Sequence, residues 1–253
     1  MKNFSKFVLG VGAFFLIAPA VFAGWLIEEA VTYEGGERFT SRVAIDGGRY
    51  ASTSGDEKLI INFKTNTVYF VYEKSQQYFG GTIEQVANEL RGSMIMTEMH
   101  EEQDIFAPTE AGLASGTDAA IFVEASKTGE KFTAAGFAGE KYQILVDGEL
   151  KKEIFLAPTL TANKEIDARK LARVMLILSG ASNPTGAKFL EMNDKYVELM
   201  KIGYPIRTLE YDPSGGLVLT SVVKAEQKAL PDSEFTPPKE YKKAKSADIY
   251  RVR

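Results

Sequence analysis

His100 sits among Glu98, Glu101, Glu102 and Asp104 in the stretch "TEMHEEQD". One imidazole beside carboxylates is a weak site for a divalent cation. A zinc site on a helix wants a second histidine four residues on. That position is Asp104, and His100 is the chain's one histidine. The stretch therefore reads as a solvated acidic face. A Ser-His-Asp hydrolase would also have to use His100, and the chain carries no G-x-S-x-G elbow to present a serine to it. Glu28 and Glu29 are neighbours on a predicted strand, so they point to opposite faces and cannot share acid–base work. If Trp25, Ile27 and Val31 face inward, Glu29 does too, and an inward carboxylate needs a partner. Arg42 and Arg49 on the neighbouring strands are the candidates. These residues read as a protein that is not an enzyme, with no catalytic residues, no metal and no cofactor.

The stretch from Gly129 to Gly148, "GEKFTAAGFAGEKYQILVDG", poses a different question. A phosphate-cradling loop needs G-x-x-x-x-G-K-[ST] between a strand and a helix. "GFAGEKY" lacks that spacing and has no Ser or Thr after Lys141. The residues after it alternate like a strand: Tyr142, Ile144 and Val146 share one face, and Lys141, Gln143 and Asp147 the other. No helix begins here to hold a phosphate. The stretch reads as turn plus strand.

These residues must be positioned by a chain of 253 residues with a net charge of −4, a pI near 5.3 and 45% hydrophobic residues. One globular domain with a real core fits that length and composition. The acidic balance argues against a nucleic-acid partner. With no cysteine, disulfides, thiol chemistry and iron–sulfur clusters are excluded. Residues 1–23 read as a cleavable signal peptide. Lys2 and Lys6 form a basic start, an apolar run follows, and Val21 and Ala23 supply small residues before Gly24. The apolar run is short for a membrane span. Losing the two lysines takes the net charge from −4 to −6. The expected location is the periplasm or outside the cell, with no transmembrane segment after cleavage.

Residues 24–243 read as the folded domain and 244–253 as a basic, solvated tail that could touch an anionic membrane. From Trp25 to Phe79, β-branched and aromatic runs bounded by Gly, Asp, Asn and Ser predict an antiparallel meander of six strands. "TVYFVY" is apolar on both faces, so something should cover each side. Thr82 to about Met99 reads helical, with Thr82 as N-cap. Residues 100–118 read as a long loop or lid. Strands resume at "AAIFVEAS". A helical region runs from Lys164 to about Leu199 with a break at "SGASNPTG", and two strands close the pattern, "YPIRTLEY" and "GLVLTSVVKAE".

Three stretches together carry a resemblance. "GEKFTAAGFAGEKYQILVDGELKKEIFLAP" resembles the middle strands of secreted bacterial proteins in the superfamily of LolA, the periplasmic lipoprotein carrier, and is similar to a domain-of-unknown-function branch of that group. Ala138 stands where many relatives carry cysteine. "LIINFKTNTVYFVYEKSQQYF" resembles their paired strands that end in an aromatic residue. "LPDSEFTPPKEYKK" resembles their closing segment, carried here by Phe235, Pro237 or Pro238, and Tyr241. The resemblance spans most of Trp25 to Lys243. It implies an α+β fold, a curved antiparallel half-barrel sheet with helices packed on the concave face and an apolar cavity between them. It supplies no catalytic residues.

The expected ligand is a lipid or another hydrophobic molecule in that cavity, lined by Trp25, Ile27, Tyr69, Met94, Tyr142, Met175, Leu178 and Met192. Flexible methionines suit variable apolar partners, and aromatics with a few polar handles suit small hydrophobic ligands. Ordinary packing explains the same residues. The alternative is an envelope structural or stress protein that binds a protein partner, with a filled core and no ligand. The two differ in whether the space between helices and sheet is empty or packed.

Overall fold

Short strands of alternating polarity, separated by glycine-bearing turns, build nearly the whole molecule. The computed structural model describes residues 23–97, 121–178, 189–211, 216–246 and 248, with the side chains of the first helix described as far as Arg91. The first six strands form the predicted meander: β1 (Gly24–Tyr33), β2 (Arg38–Asp46), β3 (Arg49–Ser54), β4 (Glu57–Asn62), β5 (Thr67–Tyr72) and β6 (Gln77–Thr82). Helix α1 (Ile83–Thr97) follows. Then come β7 (Val123–Ala134), β8 (Phe137–Val146), β9 (Glu149–Ala157), α2 (Ala168–Leu178), α3 (Asp194–Met200), β10 (Tyr204–Tyr211), β11 (Leu217–Lys228) and β12 (Lys242–Lys243).

The twelve strands make one open sheet in the order β12-β6-β5-β4-β3-β2-β1-β11-β10-β9-β8-β7. Every neighbouring pair is antiparallel except β12 with β6, which is parallel. The stretch with the doubled "GEK" is a hairpin tip, as its alternation predicts. Ala135 and Gly136 both take positive φ, 50° and 84°, in the two-residue turn from β7 to β8. Asp147 and Gly148 do the same from β8 to β9, at 52° and 85°. Both match the twist that two-residue hairpin turns require.

The two faces of the sheet are covered by different means. On the concave side, α1 and α2 lay Ile83, Val86, Leu90, Val174 and Leu178 on Ile61, Val68, Tyr72 and Phe79. The helix begins where the sequence places it. Thr82 Oγ1 accepts from Gln85 N at 3.2 Å, and Gln85 Oε1 accepts from Thr82 N at 3.0 Å, a reciprocal cap. Helix α3 covers β8 and β9 through Tyr196 and Leu199 against Ile144, Ile154 and Leu156. The predicted helical region from Lys164 to about Leu199 holds α2 in its first half and α3 in its second, with short 3-10 turns at Ala162–Lys164 and Leu190–Met192.

On the convex side lies the C-terminal segment. Phe235, 3% exposed, packs with Leu26, Ala44, Ala51, Ile60 and Val71. β5 is thus buried from both sides, as its two-sided apolar pattern requires. Charges fasten this strap. Arg42 pairs with Glu234 at 2.6 Å, Arg49 pairs with Asp46 and with Asp232, and the Arg49 guanidinium lies 4.3 Å above the Phe235 ring. The strap ends in β12, where Lys242 N donates to Gln76 O and Ala244 N to Tyr78 O. Ser246 is fully buried, its N–H on Glu89 Oε1 at 2.6 Å. The segment expected to be a solvated tail from residue 244 is therefore docked as far as Ser246, because its N–H groups find acceptors on Tyr78 of β6 and Glu89 of α1. The expected signal peptide up to Phe22, the acidic stretch around His100, the expected lid and the "SGASNPTG" break lie outside the described residues.

Candidate functional site

Glu29 faces inward, as its place between Trp25, Ile27 and Val31 predicts. Its partners are not the two arginines, which are held by the convex strap. Ser41 Oγ on β2 donates to Glu29 Oε2 at 3.2 Å, and the Tyr204 hydroxyl at the start of β10 donates to Oε1 at 3.0 Å. Alternation explains the correction: Arg42 is one residue past Ser41, so it points to the other face. Burial raises the Glu29 pKa, against the lowering effect of those two hydrogen bonds. Tyr50 stands nearby, its phenol pushed up to about 12 by burial, with a hydrogen bond to Ser52 opposing and the Glu29 charge adding. Burial and Glu29 likewise hold the Tyr204 phenol well above its ordinary value. A carboxyl gripped by two hydroxyls can hold a proton.

Around this group the described residues form an apolar cluster. Ile27, Leu160, Ala162 and Ile206 are fully buried in one cluster with Trp25, Val43, Ile45, Phe155 and Val222. The β7–β8 hairpin tip covers that cluster with Phe132, Ala134, Ala135 and Phe137. Phe137 meets Trp25 edge-on at 6.1 Å, and Arg207 lies 4.8 Å over Phe132. Gly139 lets the tip approach, since a Cβ there would stand 3.0 Å from Ile206 Cδ1. The Trp25 Nε1–H is buried with no partner among the described residues.

The eight expected cavity residues are not brought to one place. Trp25 and Ile27 belong to the central cluster, and Leu178 to the cluster under α1. Tyr142 packs at the edge of the α3 cluster. Tyr69 belongs to the strap side, next to Tyr78. Met175 is 45% exposed on α2. Met192 lies in the 3-10 turn before α3 and is half-buried. The side chain of Met94 lies outside the described residues.

Two surface clefts lie beside α3. One, of about 460 Å³, runs between Asn163, Asp167 and Arg169 and the residues Glu198 and Lys201. The other, of about 640 Å³, lies between the start of β7 and α3. None of the seven whose side chains are described lines either cleft. A third polar cluster escaped sequence reasoning. Lys152, 7% exposed, reaches Glu210 at 3.1 Å and Glu191 at 3.3 Å beneath α3, 5.6 Å from the Tyr196 ring. Burial would lower its pKa, but Tyr196, Glu210 and Glu191 together raise it, so it stays a fixed cation. The alternation of "ELKKEIFLA" was the available signal: Lys152 shares a face with Ile154 and Leu156. Among the described residues no group of three His, Cys, Asp or Glu side chains could hold a metal, and no helix is long and apolar enough to cross a membrane.

A family model described as a domain of unknown function (DUF4412) matches residues 61–241. No curated protein matches the chain. Among solved structures it is similar to PNGF-II, at 11% identity and a TM-score of 0.39, over 91% of this chain and 32% of that one. It is similar to MucB, at 11% identity and a TM-score of 0.36, over 87% of this chain and 59% of that one. It is also similar to a LolA superfamily protein from Nitrosomonas europaea, at 9% identity and a TM-score of 0.31, over 86% of this chain and 91% of that one. The chain thus spans about a third of PNGF-II and less than two thirds of MucB.

Proposed function

The chain belongs to the DUF4412 family, and we propose that it is a binding protein of the cell envelope that engages a protein partner over its surface, with an interior filled by its own side chains. The N-terminal pattern of residues 1–23 supports export. The observation that carries the reading is the packing of the concave face. A lipid between sheet and helices would need space where Ile27, Leu160, Ala162 and Ile206 are fully buried and where the β7–β8 tip adds Phe132 and Phe137. A bound acyl chain gains about 0.8 kcal/mol for each CH₂ it buries, and that gain requires an apolar hole to enter. The two clefts beside α3 lie at the surface and carry charged residues in their walls. Binding, not turnover, is the activity this arrangement supports.

Titration with a fluorescent fatty acid, cis-parinaric acid, tests it. The expected result is no saturable uptake by the folded chain at micromolar concentration. Saturable uptake at one molecule per chain would overturn the reading in favour of a lipid carrier.

A further inference from the structure

The sheet has two ends, and among the described residues only one of them is closed by the chain itself. At the β6 end, β12 occupies the edge. At the other end β7 pairs with β8 alone. Its first half is regular: Val123 to Lys127 run opposite Val146 to Tyr142 without a shift, and the irregularity comes only between Lys127 and Lys131. Natural sheets blunt an edge with bulges and charges, so the second half of β7 is protected and the first half much less. Phe122 O accepts from Asp147 N at 2.8 Å, which fixes the alternation of the ladder. The backbone N–H and C=O groups of Val123, Ala125 and Lys127 therefore point away from the sheet.

Beside this bare edge runs the cleft of about 640 Å³. Glu124, Ala125 and Ser126 form its strand wall, and Lys195, Glu198 and Leu199 of α3 with Ile202 just beyond it form the other. Ile202 is 38% exposed, and Phe122, at 56%, stands at the strand's start under Lys195 Nζ, 4.8 Å from its ring. Val123 packs with Tyr196 and Leu199, so α3 lies on the face shared by Val123, Ala125 and Lys127. Glu124 and Ser126 are on the other face. Glu124 is exposed and makes no ion pair among the described residues.

We propose that the outer edge of β7 from Val123 to Lys127 takes an extended segment of the protein partner as an added strand, with an apolar side chain on Leu199 and Ile202 and a basic one beside Glu124. This rests on the reading of the chain as a partner-binding protein and names where the partner sits. Only an extended backbone offers donors and acceptors at the spacing of a strand edge, and side chains of such a segment alternate between the two faces. The uncompensated Glu124 charge selects the basic residue, because opposite charges side by side on neighbouring strands stabilise the pair and like charges oppose it.

The test is selection from a displayed library of random eight-residue peptides by the full chain, followed by hydrogen exchange of the chain with the best peptide. The expected sequences alternate apolar and basic residues, and the amides of Val123, Ala125 and Lys127 slow on binding. Ala125→Pro, tolerated because that N–H faces outward, is expected to weaken the peptide at least tenfold. Glu124→Lys, which leaves the backbone alone and serves if the proline variant fails to fold, is expected to turn the selection toward acidic residues. Peptides whose binding ignores both variants, or failure to enrich any peptide, would overturn this site. Those results leave the broader reading standing unless the chain also takes up cis-parinaric acid, which would remove both.

Discussion

The two ends of the sheet solve one problem in opposite ways. At the β6 end the C-terminal strap crosses the convex face, fills it with Phe235, fastens itself through Arg42 and Arg49, and finishes as β12 on the open edge. At the β7 end the last strand has no second neighbour among the described residues and lies next to a cleft, with Phe122 and Ile202 partly exposed. An unpaired edge invites another strand. A protein that closes one edge with its own C-terminal strap and leaves the other open has an end built for stability and an end available for association.

The largest expected effect breaks the stable end. Phe79 on β6 is fully buried and stacked on Phe70 at 4.7 Å. Phe79→Ala should cost about 3–5 kcal/mol, read by urea denaturation. Phe122→Ala at the open end should change stability by no more than about 0.5 kcal/mol. Equal losses at both ends would contradict the comparison.

A middle-sized effect makes the two ends alike. Arg49→Ala removes the bonds to Asp46 and Asp232 and the stacking on Phe235. A charge-assisted bond of this kind is worth about 1–3 kcal/mol. The loosened strap should expose the β6 edge, so size-exclusion chromatography should show more self-association than for the parent chain.

The centre of the sheet gives a pH signature that neither end shares. Burial raises the Glu29 pKa above its ordinary value of 4.5, over the opposition of Tyr204 and Ser41. A carboxyl raised in the folded state binds its proton more tightly folded than unfolded. Its contribution to stability is full below 4.5 and is lost as pH rises through the folded value. Glu29→Gln should therefore raise the Tm at pH 8 by more than at pH 5. The same gain at both values would mean that Glu29 is not the group responsible.

The smallest effect concerns Trp25, whose ring is 5% exposed and whose Nε1–H has no partner among the described residues. Trp25→Phe removes an unsatisfied donor and keeps an aromatic ring against Phe137, so thermal denaturation should register a change within about 1 kcal/mol.

The strands and turns were legible because each announces itself locally, by alternation and by Gly or Asp at positive φ. The closing segment was legible too, through Phe235 and Tyr241. Which strands meet was not. β1 pairs with β11, so Glu29 finds Tyr204 across a separation of 175 residues. Alternation could turn Glu29 inward, but could not say that the hydroxyl at the start of β10 would reach it. Apolar content also failed to assign faces. "TVYFVY" offers apolar residues to both sides, and Tyr69 lies with the strap. The run from Val174 to Leu178 in α2 is apolar without a break, and Met175 faces outward while Val174 faces the core. Whether the interior is empty or full depends on how the β7–β8 tip folds back over β1 and β10, a tertiary contact with no local signal.

Native mass spectrometry of the chain purified from its own host, followed by organic extraction, tests the central claim most directly. A filled interior predicts the mass of the bare polypeptide and no lipid in the extract. A stoichiometric lipid that survives purification would contradict it.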